Sequence, residues 1–250
     1  MHSRDIQPIV ERLRPRLSDA DGQVFHVALQ GIWSYWEFLK VIHARFVRAD
    51  QAFYAAVRDM HSSFDRLSRD ERLAAVEAQE GLEVAHHLEI ESFYLFAKIL
   101  LDKVARFIQF FFGPIRAKPL TSHDDLSKHF GLYVNRYGLV APPGFADAVE
   151  HLKAQIADFR DHFIAHEQSP RTQRGTTWQN TEPGRLTLNR VYQRPSDPPE
   201  PVSGSVPELF RSLEEYLRLF LVLITDNFER TALQRRSMTP NDQAGDLTGA

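Results

Sequence analysis

The sequence predicts an all-α fold, a helical bundle carrying a small inserted β-hairpin, and three observations lead there. Apolar residues recur at spacings of three and four along most of the 250 residues, the period of an amphipathic helix. The strongest breakers, Gly113-Pro114, Pro142-Pro143-Gly144 and the four prolines between Pro195 and Ser205, stand between the periodic runs rather than inside them. Strict alternation, the mark of a half-buried strand, is confined to one short stretch near Arg185–Tyr192.

In chain order, residues 1–80 form an N-terminal helical region, with an aromatic-rich piece around Ile32, Trp33, Trp36 and Phe38 and shorter polar helices on either side. Residues 81–236 hold the main bundle. Its spine is a helix of about 30 residues from Glu83 to Phe112, in which Phe93, Phe96, Leu100, Val104, Phe107 and Phe111 share the periodicity and Gly113-Pro114 supplies the stop. A further helix follows Pro142-Pro143-Gly144 and places Leu152, Ile156, Phe159 and Phe163 on one stripe. Periodicity then lapses from Gln168 to Pro201. Arg185–Tyr192 pairs back onto Thr176-Thr177-Trp178 across Pro183-Gly184, giving a hairpin insert at about residues 171–195. The last long helix opens at Ser205, where Ser205 and Glu208 make an S-x-x-E capping box, and carries Leu209, Leu213, Leu217, Phe220 and Ile224 to about Arg235. Residues 237–250 read as a disordered polar tail. The total is about seven helices.

Composition narrows the functional classes. A net charge of −3 carries no global basic excess, so nucleic-acid contact has to come from a local patch. Cysteine is absent, which removes disulfides, thiolate metal sites and cysteine nucleophiles together. The longest apolar runs, Phe107–Phe112 and Leu219–Ile224, fall far short of the ~18 residues of a membrane span, and the charged N-terminal stretch has no signal-peptide pattern. A soluble cytoplasmic protein without membrane partners is expected.

The chemistry concentrates in Phe159–Arg171, FRDHFIAHEQSPR. On a regular α-helical wheel with Leu152 at zero, Ile156, Phe159, Phe163 and His166 lie within about 40° of the seam, and Arg160 borders it at about 80°. One helix separates Arg160 from His166 by about 120° and about 9 Å of rise, too far to grip a small group jointly. Two copies meeting about a two-fold axis would converge two Arg and two His on a phosphodiester. Just downstream, between Gln168 and Pro195, stand five Arg, no Lys and one acid, with Trp178 and Tyr192 interleaved. Arg171, Arg174, Arg185 and Arg190 suit phosphate oxygens, and Trp178 suits stacking on an unpaired base.

Arg160-Asp161-x4-His166 at a helix end, finishing in Ala165-His166, resembles the R-x4-6-H signature of the HEPN superfamily, and the long helices on either side extend the likeness over roughly residues 83–235. The resemblance implies a HEPN-like bundle and a metal-independent endoribonuclease. In it the ribose 2′-OH attacks the adjacent phosphate, His166 acts as acid or base, Arg160 stabilises the phosphorane charge and Asp161 orients a partner. It also implies a homodimer through the motif helix, RNA as substrate, no cofactor, and a toxin or antiphage-defence setting with an antitoxin or defence partner protein. A second match, Arg116 to His123, contains Pro119 and is assigned to a loop.

Two other readings accompany this one. Asp158, His162 and His166, spaced i, i+4, i+8, offer three metal donors, with His86, His87, Glu89 or Glu91 as a further ligand, but Asp158 lies about 120° from the seam. No metal is therefore assigned. The same bundle can also serve without catalysis, as an RNA- or nucleotide-binding or dimerisation module. Glu91, Lys98 and Asp102 on the spine helix are read as members of structural ion pairs rather than as catalytic groups.

Overall fold

The computed structural model describes residues 6–157, 173–182, 185–193, 200–201 and 206–233. The chain is predominantly helical. Six α-helices are described: α1 (Gln7–Leu13), α2 (Asp19–Ser63), α3 (Arg69–Phe112), α4 (His123–Tyr137), α5 (Phe145–Leu152) and α6 (Val206–Asp226), with short 3₁₀ turns at Arg14–Arg16, Phe64–Arg66 and Phe228–Arg230. No helix among the described residues is long and apolar enough to cross a membrane.

Several boundaries differ from the sequence expectation, each for a local reason. The aromatic piece near Trp33 is not an isolated element but the middle of α2, a single helix of 45 residues. Proline is absent from its whole length, so nothing breaks the backbone ladder between the aromatic piece and the stretches on either side. The spine helix starts at Arg69 rather than Glu83. Ser68 and Glu71 form its capping box, the Glu71 carboxylate accepting from the Ser68 backbone N–H at 2.8 Å and the Ser68 hydroxyl at 2.7 Å, which satisfies donors that a helix start otherwise leaves exposed. α4 opens in the same way: the Ser122 hydroxyl accepts from Asp125 N–H, and the Asp125 carboxylate accepts from Ser122 N–H. α6 begins at Val206, one residue after the expected cap Ser205, which lies outside the described residues. It ends at Asp226, short of Arg235, because Asn227 turns its side chain onto other backbone groups.

α3 ends where foreseen. Gly113 follows with φ +99°, a left-handed conformation that suits glycine, and a Cβ there would lie 3.3 Å from the Ala232 side chain.

Two compact units are present, and neither follows chain order. The first comprises residues 1–34, 101–150 and 216–250, and the second residues 35–100 and 151–215, so residues 1–80 divide between them. In the first unit the core is aromatic. Phe107 lies 5.4–5.9 Å from Phe25, Phe110, Phe111 and Phe220 by ring centroid, and Phe145 stacks on Tyr216 at 5.4 Å. Its loops are pinned by buried polar groups: the Thr231 hydroxyl donates to the Phe111 carbonyl at 2.5 Å. In the second unit Trp36, Leu39, Phe46 and Phe53 of α2 are buried, as are Ile90, Phe93 and Tyr94 of α3 and Leu209 and Leu213 of α6. Phe210 is stacked between Trp36 (4.8 Å) and His43 (4.2 Å).

The sheet is small. β1 (Gln173–Glu182) pairs antiparallel with β2 (Arg185–Gln193), with Thr176 opposite Arg190 and Trp178 opposite Leu188, and β3 (Glu200–Pro201) adds two residues to the β2 edge. The tail at 237–250 lies outside the described residues.

Candidate functional site

The residues assigned to catalysis, Arg160, Asp161 and His166, lie outside the described residues, as do Arg171 and the metal candidates Asp158 and His162. The helix leading to them is described up to Ala157. Val149, Leu152 and Ile156, spaced three and four apart, are buried as the stripe requires. The helix is not a uniform α-helix, however: Lys153–Ala157 forms a π turn directly after α5. A π turn widens the i→i+4 ladder to i→i+5. The 100° wheel therefore describes this helix only as far as Leu152. Four of the RNA-contact candidates are placed by backbone: Arg174 and Trp178 on β1, and Arg185 and Arg190 on β2, with Arg185 opposite Glu182 and Arg174 opposite Tyr192.

One turn before the π segment, the Val149 carbonyl oxygen receives the ring of His123, whose Nε2 lies 3.0 Å away. A carbonyl partner requires Nε2 to carry the proton. His123 is placed by the sequence in a loop with Arg116. It instead opens α4 and is fully buried, while Arg116 is exposed, so the second R-x4-6-H match brings nothing together. The His123 backbone N–H donates to Asp102 Oδ1 at 2.8 Å, and its ring meets Tyr216 edge-on at 5.6 Å. Burial, and then the negative charge of Asp102, push the Tyr216 hydroxyl well above the ordinary tyrosine range. Asp102 thus has the structural part that the sequence suggests, here as acceptor of a backbone N–H. The cluster is sealed from solvent, with His123 and Tyr216 both 0% exposed, so it orders α4 and α5 and offers no surface to a substrate.

The polar residues of α2 and α3 in the second unit are the other concentration of titratable groups. His86 is 1% exposed and lies between Phe46 and Phe53, with near-parallel rings at 5.3 and 5.9 Å. Its Nε2 stands 3.2 Å from Asp50 Oδ1, an ion-pair distance rather than an aligned hydrogen bond. His87 pairs with Glu91 at 2.6 Å, and Glu89 takes Arg45 at 2.5 Å. The donors suggested for a metal are thus divided among separate partners, and among the described residues no three His, Asp or Glu side chains are arranged to hold one ion. Asp50 and Arg45 escaped the sequence reading because long-range pairing between two helices leaves no spacing signal within either.

His43 is a half-buried histidine of the second unit whose ionisation is perturbed. Burial lowers its pKa below the ordinary histidine value, and its Nε2 has no hydrogen-bond partner among the described residues. The folded chain therefore takes up this proton less readily than the unfolded chain. Stability is held above the unfolded-state value near pH 6.5 and declines as pH falls through the lower folded value. His43→Phe, which keeps the stack on Phe210, is expected to flatten the loss of stability below about pH 6.5 in urea titrations run at several pH values. An unchanged pH profile would remove His43 from the account.

Comparison with protein-family models, curated proteins and solved structures returns no match for this chain.

Proposed function

We propose that the chain is a metal-independent, HEPN-like endoribonuclease acting in the cytoplasm, in a toxin or antiphage-defence setting. The observation that carries this reading is the Arg160-Asp161-x4-His166 motif at the end of a seam whose described part, Val149, Leu152 and Ile156, is buried. Support also comes from the predominantly helical fold and from the arginines and tryptophan of β1 and β2 that follow the motif. In the proposed reaction a proton leaves the ribose 2′-OH as its oxygen attacks the adjacent phosphorus, the P–O5′ bond breaks, and a proton is delivered to the departing 5′-oxygen. His166 handles a proton, Arg160 balances the added charge on the phosphorane, and Asp161 orients a partner. RNA is the substrate, no cofactor is required, a homodimer through the motif helix assembles the site, and an antitoxin or defence protein is the expected partner.

Arg160→Ala and His166→Ala are each expected to reduce RNA cleavage at least about a hundredfold, with helical circular dichroism unchanged and wild-type cleavage proceeding in EDTA. Cleavage abolished by EDTA would transfer the chemistry to a metal. Wild type that cleaves no RNA in a mixed pool would leave the non-catalytic RNA- or nucleotide-binding or dimerisation module as the better description.

A further inference from the structure

We infer that a cavity in the first unit is a binding site for a small basic α-amino acid of the lysine or arginine type. The cavity, of about 410 Å³, lies between α1, the 3₁₀ turn at Arg14–Arg16 and the first turns of α2. That volume falls within the ~300–1,000 Å³ of small-molecule sites. Two local features give it form. Gly22 is buried, and a Cβ there would lie 3.1 Å from Arg14 Cγ and 3.3 Å from the Arg14 carbonyl oxygen, so the missing side chain lets the Arg14 stem and backbone rest directly on α2. Ser18 and Asp21 close the helix start on each other, the Ser18 hydroxyl donating to Asp21 Oδ2 at 2.8 Å and accepting from Asp21 N–H at 3.2 Å. Asp19 is thereby left out of the cap.

The charges of the lining identify the ligand. They are Glu11, Arg14 and Asp19. Although the three share one cavity, Arg14 makes no ion pair with either carboxylate among the described residues, and Glu11 accepts from the neutral Gln7 amide at 2.8 Å. A simple anion would meet two carboxylates there, and a simple cation would meet the guanidinium, so neither is matched. A molecule with one carboxylate and two cationic groups is matched. Its carboxylate takes the Arg14 fork, and its ammonium and side-chain cation take Asp19 and Glu11. Val10, 5% exposed, and Leu17 supply apolar surface for the methylene stem between them. His26 adds a further polar group: its Nδ1 is sealed in the protein with no hydrogen-bond partner among the described residues, so Nε2 is the ring nitrogen left to serve a ligand. The inference uses no residue of the Arg160–His166 motif, so its success or failure leaves the nuclease reading untouched.

Isothermal titration calorimetry of the full chain with L-lysine, L-arginine, L-leucine and L-glutamate tests the inference. Lysine or arginine is expected to bind with a dissociation constant below about 1 mM, at least about tenfold tighter than leucine or glutamate. Arg14→Gln and Asp19→Asn, both at exposed positions and so compatible with folding, are each expected to weaken that binding more than about tenfold. A chain that binds neither basic amino acid at about 10 mM would overturn the inference. So would glutamate binding as tightly as lysine, or lysine binding that both variants leave unchanged.

Discussion

Phe107→Ala is expected to destabilise the first unit by about 3–5 kcal/mol, the largest effect of any single truncation considered. Phe107 is 3% exposed and holds four rings within 6 Å, from Phe25 on α2, Phe110 and Phe111 on α3 and Phe220 on α6. Removing it forfeits the transfer free energy of the ring and the edge-to-face packing on Phe220. It also leaves a void among neighbours that are fixed on three different helices and so collapse poorly. Urea unfolding monitored by circular dichroism measures the change through the midpoint at constant slope. Phe107→Leu, which refills most of the volume, should recover more than half of the loss. A cost below about 1.5 kcal/mol for the alanine variant would mean that the three helices do not converge on this ring.

Asn227→Ala should cost about 2–3 kcal/mol by a different mechanism. The Asn227 side chain is a four-bond clamp: Nδ2 donates to the Val140 carbonyl at 2.9 Å and the Leu223 carbonyl at 2.8 Å, and Oδ1 accepts from Val140 N–H at 2.7 Å and Arg230 Nη1 at 2.8 Å. It is 1% exposed. Its amide reproduces a backbone pairing for Val140, whose segment between α4 and α5 has no ladder of its own, and alanine leaves those groups without partners. Asn227→Leu separates volume from hydrogen bonding: if the clamp dominates, leucine should be no better than alanine. A leucine variant as stable as wild type would show that Asn227 only fills space.

Where sequence reading succeeded, the signal was local and periodic. The end of α3 at Gly113-Pro114 and the α6 seam of Leu209, Leu213, Leu217, Phe220 and Ile224 were legible because burial of one helix face imposes spacings of three and four. Two helix starts were legible in principle and went unread: Ser68-x-x-Glu71 and Ser122-x-x-Asp125 are capping boxes written in four residues each. The π turn at Lys153–Ala157 left no such trace. Arg160, Asp161 and His166, which anchor the nuclease reading, come after it in the chain and lie outside the described residues.

Composition and spacing are enough to establish that this chain is mostly helix, which positions of each helix are apolar, and where an Arg-Asp-x4-His motif stands in it. Those properties follow from nearest-neighbour sterics and from the period of one helix, and they need no partner. Packing between helices is what set Asp50 against His86, Asp102 against the His123 backbone and Asn227 onto Val140, and what left Phe38 and Ile99 exposed. Such pairings join residues 21 to 87 positions apart. Their free energy arises from desolvation and alignment, which exist only once separate helices have packed.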